Sequence, residues 1–206
     1  MTSRSIRLFV VLSLAVLMLT GCATTELTGT WSDESLAGRT FKKIYVIAVG
    51  KRADVRAFFE DEYVKQLQEK GVGAIASHTG LPADKMLDKQ TIIDTIADTG
   101  VDAVLITRLT EFKGKRDVET YRTYKVPYGY YNQMHEYHRK GQEDSQDDAA
   151  LTKHEIVSLE TNIYDAKTTK LVWSAASDTK IQDSVQQLIA SFVQEIVKKL
   201  GHEKVI

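Results

Sequence analysis

The single cysteine of the 206-residue chain, Cys22, lies where its thiol is predicted to react. A short basic region precedes an apolar run of 12 residues that ends at Leu19. This run is too short to cross a bilayer as a helix, and it has the length of a signal-peptide core. Leu19, Thr20 and Gly21 before the cysteine fit the bacterial lipobox, in which the thiol accepts a diacylglyceryl group before the preceding peptide bond is cut. We therefore expect residues 1–21 to be a signal peptide and Cys22 to be lipidated.

The residue after the cysteine bears on where the lipid would be inserted. Retention at the inner membrane is usually signalled by an aspartate at this position, whereas this chain has Ala23. We therefore expect a lipid anchor in the outer membrane, with the protein on its periplasmic face. Because one acyl chain alone binds a membrane only marginally, stable anchoring would rest on several chains.

The other residue patterns that support chemistry are incomplete. Among the five histidines, His135 and His138 alone have the spacing of metal ligands, and a zinc site needs three or four protein ligands. Gly50 and Lys51 follow a predicted strand but lack the remaining residues of a phosphate-binding loop. The nucleophile-elbow pattern GxSxG is absent from the sequence. We predict no catalytic residue, no metal and no cofactor, and hence a protein that is not an enzyme.

Charge and cysteine content narrow the class of protein further. Residues 1–21 hold two of the 27 basic side chains and none of the 28 acidic ones, so the remainder is slightly acidic and is not expected to bind nucleic acid. The one cysteine leaves no disulfide in the mature chain, although it would enter an oxidising compartment. The fold must therefore rest on a hydrophobic core, for which about 185 residues are sufficient.

The first half of the folded part alternates strand and helix patterns. The β-branched run KIYVIAV predicts a buried strand, and Asp54 can cap a following helix that Gly71 ends. A second strand, a second helix that Gly100 ends, and a third strand follow. The predicted ranges are 43–49 for the first strand, 72–77 and 102–109 for the next two, and 88–99 for the second helix. This order predicts β-α-β-α-β with parallel strands and right-handed crossovers.

The second half predicts a hairpin and a terminal helix. Residues 155–165 and 170–177 read as strands joined by a polar turn, so the sheet is expected to be mixed. The last helix carries an uninterrupted apolar stripe, with Asp183 and Gln186 as a capping box and Gly201 at its end. We predict one α/β (α+β) domain over residues 41–206, built as a two- or three-layer sandwich on one mixed sheet.

Two segments lack the periodicity of a core. Residues 22–40 are rich in Thr, Ser and Gly and are predicted to be a tether, in which Trp31 either docks on the domain or binds a partner. Residues 113–153 form an insert that holds six of the nine tyrosines, and loops of that length are usually functional or disordered. The insert either folds onto the domain or contacts a partner. Its candidate interaction residues are Tyr121, Tyr124, Tyr128, Tyr130 and Tyr131.

Short segments across the mature chain share a recognisable pattern. They are Thr30-Trp31, Phe41-Lys42-Lys43, Phe59-Glu60-Asp61-Glu62, Leu159-Glu160-Thr161-Asn162-Ile163-Tyr164-Asp165 and Leu171-Val172-Trp173-Ser174. This pattern resembles an uncharacterised family of Gram-negative envelope lipoproteins. The fold is also similar to the α/β domain of lipoproteins that activate penicillin-binding proteins or build the curli secretion pore. Neither resemblance implies a catalytic residue, and architecture alone transfers no function.

Two functions are compatible with these patterns. The first is a non-enzymatic binding or adaptor domain, held by its lipid at the outer membrane and facing an envelope protein partner. The second is an enzyme or a small-ligand or lipid-binding protein that acts on envelope material. In that case the Tyr-rich insert would cover the carboxyl ends of the parallel strands, where open α/β sheets commonly bind ligands.

Overall fold

A six-stranded sheet with helices on both faces forms the part of the chain that the computed structural model describes, residues 25–34, 39–50, 52–80, 89–113, 156–181 and 184–206. The strands are β1 (Thr25–Ser32), β2 (Lys43–Val49), β3 (Gly73–Ala76), β4 (Ala103–Lys113), β5 (Ile156–Asp165) and β6 (Leu171–Lys180). The helices are α1 (Ala53–Glu69), α2 (Lys89–Ala97) and α3 (Val185–His202), and a 3₁₀ turn follows β3 at Ser77–Thr79.

The strand order is β1-β6-β5-β4-β2-β3. β2 pairs with β3 and β4 in parallel, whereas β4 with β5, β5 with β6, and β6 with β1 pair antiparallel. The predicted β-α-β-α-β unit, the hairpin and the terminal helix on one mixed sheet are therefore confirmed.

The two faces of the sheet have separate cores. On one face, α1 and α3 pack together and against the strands, with the rings of Phe59 and Phe192 5.5 Å apart and those of Phe59 and Tyr63 5.7 Å apart. On the other face, Ile92 and Ile96 of α2 pack on the side chains of β2 and β4. Because strand residues point alternately to the two faces, nearly continuous apolar strands such as β2 are buried on both sides.

The prediction of an irregular tether over residues 22–40 is wrong for β1, which pairs along β6 as an edge strand of the sheet. The register shifts between Leu27 and Gly29, and a bulge of this kind interrupts the alternation by which a strand is recognised in sequence. Trp31 lies in β1, is partly buried and packs against the core on the α2 face. This agrees with the interpretation in which it docks on the domain.

The caps of the helices differ from those predicted. α1 begins after Arg52, which makes no side-chain cap, and Asp54 lies within its first turn. Ser184 caps α3 by accepting the N–H of Gln187 at 3.2 Å. The predicted cap was the pair Asp183 and Gln186, of which Asp183 lies outside the described residues. The predicted stop for α3, Gly201, lies inside the helix, which runs to His202 and has Glu203 as its C-cap. By contrast, Gly71 has a φ of 78° and ends α1 as predicted, in a conformation that favours glycine.

Candidate binding cleft at the carboxyl ends of the parallel strands

The carboxyl ends of β2 and β4 form a topological switch point. These strands are neighbours and parallel, yet from β2 the chain crosses through α1 to β3 on one side, while from β4 it continues to β5 on the other. In open α/β sheets, the two connections diverge at such a point and leave a crevice in which ligands commonly bind. A ligand site is therefore expected at this end of the sheet.

A cleft of about 90 Å³ lies at this switch point, between the sheet and the first turns of α1 and α3. Its walls combine the ends of β2, β4 and β5 with both helices, and most of its described lining residues are apolar. Representative lining side chains are Val55, Phe59, Leu109, Leu159, Leu188 and Ile189. α1 and α3 both begin at this end, so the positive ends of both helix dipoles lie beside the cleft.

Three arginines also line the cleft, and none of its described lining residues is acidic. Arg56 and Arg108 are almost fully buried, with 5% and 7% of their surface exposed. Arg52 is half-exposed, and its guanidinium Nη2 donates to Asp54 Oδ2 at 2.6 Å. This hydrogen bond lowers the pKa of the Asp54 carboxyl. The cleft thus joins an apolar wall to the Arg52 and Arg56 side chains of the α1 end, whereas the Arg108 side chain lies on the α2 face of the sheet.

Glu60 is the buried carboxylate that faces Arg56, one turn earlier on α1. Its Oε1 lies 3.5 Å from Arg56 Nε and accepts hydrogen bonds from the N–H of Ala48 at 3.0 Å and the hydroxyl of Ser77 at 2.7 Å. Its Oε2 accepts the N–H of His78 at 2.7 Å. Burial raises the pKa of Glu60, while these donors act in the opposite direction. The contacts connect α1 to the ends of β2 and β3, so Glu60 holds the wall of the cleft in place.

Arg108 belongs to a second buried polar group, on the α2 face of the sheet. Its Nη2 lies 3.8 Å from Glu160 Oε2 on the neighbouring strand. Asn162 donates from Nδ2 to Glu160 Oε1 and to the hydroxyl of Tyr164, each at 3.2 Å, and its Oδ1 accepts the hydroxyl of Ser174 at 2.5 Å. Buried polar side chains need such partners, and this network fixes the orientation of Glu160 toward Arg108.

The residues proposed from the sequence do not meet at the cleft. Trp31 is on the α2 face and is not among the lining residues. His78 contacts Asp61 Oδ1 through Nε2 at 2.8 Å and is not a lining residue either.

Other predicted features lie outside the described residues. They are Cys22 with Leu19, Thr20 and Gly21, the histidine pair at 135 and 138, and Tyr121, Tyr124, Tyr128, Tyr130 and Tyr131. Within the described ranges, no helix has the length and apolar character needed to cross a membrane. No group of three or more His, Cys, Asp or Glu side chains in the same ranges could hold a metal ion.

The arginines and Glu60 were not predicted as site residues, although one signal was present in the sequence. Arg56 and Glu60 are four residues apart and lie among the apolar positions of α1, and Arg108 extends the apolar run of β4. A charged residue within a buried stripe is seldom tolerated without a partner, so such positions are candidates for a site or an internal ion pair.

No protein-family model and no curated protein matches the chain. Among the solved structures that are similar to the chain, two are dodecamers of low identity. The first is the PelC dodecamer from Paraburkholderia phytofirmans, which is 13% identical with a TM-score of 0.48, over 88% of this chain and 99% of that chain. The second is a dodecamer of a PelC point variant from the same organism, 14% identical with a TM-score of 0.45, over 86% of this chain and 98% of that chain. The similarity is distant and concerns the fold alone.

Proposed function

We propose that the protein is an envelope lipoprotein, anchored through Cys22 in the outer membrane, whose periplasmic α/β domain is a non-enzymatic binding or adaptor module. The observation that carries the binding role is the cleft at the switch point. Its described walls supply apolar contact area and guanidinium groups, which are the elements of recognition. The lipobox pattern supports the anchor, and Ala23 after the cysteine supports the outer membrane.

The binding role can be tested from inside the cleft. Val55 lines the cleft, whereas Val64 lies on the same helix, is also partly buried, and is not a lining residue. We suggest replacing each in turn by the photoreactive residue p-benzoylphenylalanine in the full chain and irradiating intact envelopes. We expect an adduct of defined mass from position 55 and none from position 64. No adduct from position 55, or the same adducts from both positions, would overturn the binding role.

The anchor has a separate test. The Cys22→Ala chain is expected to leave the membrane fraction, since a lipid attached to this thiol is the proposed attachment. A Cys22→Ala chain that stays membrane-bound would reject the anchor. Recovery of the native chain in inner-membrane fractions would reject the proposed sorting and leave the anchor standing.

An enzyme, with the Tyr-rich insert acting as a lid, is the second candidate function, and the position of the cleft favours it. Active sites of open α/β proteins also lie at the carboxyl ends of parallel strands. The two candidates differ in what happens to the species captured at position 55. If incubation of that species with the purified chain changes its mass, the protein is an enzyme, and an unchanged mass supports a binding module.

A further inference from the structure

The directions of the strands place the start of β1 at the end of the sheet that carries the cleft, here called the cleft end. From β4 through β5 and β6 to β1, each strand runs antiparallel to its neighbour. β1 therefore begins where β4 ends. The register gives the same result, because Thr25, Thr179, Val157 and Phe112 are successive partners across the four strands. Val157 and Phe112 also line the cleft.

The first residue of β1 is fixed to the sheet and lies close in sequence to the proposed lipid. Thr25 is buried, and its hydroxyl is hydrogen-bonded to the hydroxyl of Thr179 at 2.9 Å. Cys22, the proposed lipidation site, is separated from Thr25 only by Ala23 and Thr24. Even when fully extended, such a short connection spans at most about 11 Å. A lipid on Cys22 would therefore be held beside the cleft end, with no chain length left for a long tether.

The cleft end also carries exposed apolar surface. Among the described residues, Phe58 is the large hydrophobic side chain that is exposed, with 36% of its surface accessible. It lies in the second turn of α1, which begins at this end, and shares a groove with Val55 and with Val185 at the start of α3. A single exposed phenylalanine is common on soluble domains. Beside a lipid anchor, however, it is placed to enter the boundary between headgroups and acyl chains.

We propose that the cleft end of the domain lies against the lipid surface of the membrane that holds the Cys22 lipid, with Phe58 at the interface. The proposal rests on the lipid anchor proposed above and adds the orientation of the domain and the surface that contacts lipid. The opposite end of the sheet then faces away from the membrane. In this orientation the cleft lies next to the lipid surface, so species from that surface reach it first.

The cysteine content of the chain makes this orientation measurable. The proposed lipidation occupies the thiol of Cys22, and the sequence has no other cysteine. A cysteine introduced into the full chain is then the single site for a thiol-reactive fluorophore. Gln186→Cys places the label in the first turn of α3, at the cleft end, and His202→Cys places it in the last turn of the same helix. Both positions are exposed, and the rise of the helix separates them by about 24 Å.

The measurement compares the depth of the two labels. Each labelled, lipidated chain is reconstituted in vesicles of phosphatidylethanolamine and phosphatidylglycerol, with or without a lipid that carries a quenching nitroxide on its headgroup. Because the labels are separated along the helix axis, we expect the nitroxide to quench position 186 at least about threefold more than position 202. Equal quenching, as for a domain lying on its β1 edge, or stronger quenching at position 202 would overturn the proposal.

The contact of Phe58 with lipid has its own pair of variants. Phe58→Ser removes the exposed apolar side chain and is expected to lower the quenching at position 186 about twofold, since interfacial binding scales with the apolar area that is buried. Phe58→Leu keeps an apolar side chain at the same position and is expected to retain the quenching. Quenching that Phe58→Ser leaves unchanged would overturn the contact of this side chain with lipid.

The outcomes are separable from those of the proposed function. A chain that floats with the vesicles but is quenched equally at both ends of α3 keeps the anchor and overturns only the orientation. A purified native chain that does not float with the vesicles would overturn the anchor, and the orientation with it. The binding role is tested separately by the capture at position 55.

Discussion

The two ends of the sheet are built in different ways. At the carboxyl ends of β2 and β4 the elements separate around an apolar cleft. At the opposite end they are tied together: Asp102 accepts the N–H groups of Lys42 and Lys43 at 2.8 and 3.0 Å, and the N–H of Phe41 donates to the carbonyl of Val205 at 2.8 Å. One end is thus cross-linked by hydrogen bonds, whereas the other leaves space for a ligand.

Two side-chain clusters strengthen the tied end. Asp165 ends β5, where its Oδ1 accepts the N–H and the hydroxyl of Thr168 at 2.7 and 2.8 Å and its Oδ2 pairs with Arg39 at 2.5 Å. Trp173 of β6 donates from Nε1 to Glu203 Oε2 at 2.6 Å, just after α3. These contacts join the hairpin to the segment before β2 and to the end of the last helix.

The difference separates the residues that stabilise the fold from those that recognise a ligand. Binding residues commonly lie at an open part of the structure that a rigid scaffold positions. The tied end would therefore contribute more to the stability of the fold than the cleft end does. Substitutions at the tied end should therefore lower the free energy of unfolding and leave the adduct from position 55 intact. Substitutions at the rim of the cleft should weaken the adduct and leave the free energy of unfolding nearly unchanged.

The largest expected effect on stability comes from Glu60. This residue is an exception to the division between the two ends, because it is a structural group at the cleft end. Glu60→Gln leaves Arg56 buried without its carboxylate, and we expect it to lower the free energy of unfolding by about 3 kcal/mol. Denaturant unfolding would measure the loss. Glu69→Gln, on the exposed last turn of the same helix, is the control and should change stability by less than about 0.5 kcal/mol. Equal stabilities would contradict a structural role for Glu60.

The stability that Asp165 provides at the tied end is expected to depend on pH. Burial acts to raise its pKa, but the hydrogen bonds from Thr168 and the Arg39 guanidinium together hold the pKa below the ordinary value of 3.8. The stabilisation is therefore present above that value and is lost as the pH falls through the lower folded-state pKa. We expect Asp165→Asn to cost about 2 kcal/mol at neutral pH. The difference from the native chain should shrink below about pH 4, and a difference independent of pH down to strong acid would argue against this assignment.

The next largest effect on stability is expected at Trp173, at the tied end, and is compared with that at Trp31, on the edge strand β1. Burial acts to raise the pKa of Glu203, yet hydrogen bonds from Lys199 and Trp173 lower it, so Trp173 faces a carboxylate. We expect Trp173→Phe to cost about 1.5 kcal/mol through lost volume and the lost donor. Trp31→Phe, at a partly buried position on β1, should cost less than about 1 kcal/mol. A larger loss for Trp31 in thermal unfolding would reverse the ranking of the two positions.

Most of the fold could be predicted because its signals are local. The apolar run of β2 and the stripe of α3 are periodic over their whole lengths, and Gly71 and Gly100 adopt the positive φ that ends a helix. β1 could not be predicted in this way, since it is an edge strand with a shifted register and depends on β6, which lies far along the chain. β1 is therefore stabilised by its hydrogen bonds to β6 and not by a local sequence pattern.

The cleft was predictable only in its general position. Parallel strands implied a crevice at their carboxyl ends, but the residues that line it come from β2, β4, β5, α1 and α3, and no local pattern joins them. Arg56 and Arg108 were not predicted as buried residues, because only the fold brings each beside its glutamate. The helix caps were also misjudged, because Asp54, Ser184 and the residues near them offer several similar cap positions.

The smallest expected change in stability is at the rim of the cleft. Arg52→Gln removes an ion pair between two half-exposed or exposed side chains, and such pairs contribute little, so we expect a change of less than about 0.5 kcal/mol in the free energy of unfolding. Thermal unfolding compared with a Lys65→Gln control, at an exposed position of α1 outside the cleft, would measure it. A loss above about 1 kcal/mol would make Arg52 a structural residue. Any loss of the adduct from position 55 in the same variant would then have a structural cause. A stable Arg52→Gln chain with a weaker adduct from position 55 instead assigns the Arg52 side chain to recognition, because the fold does not need it.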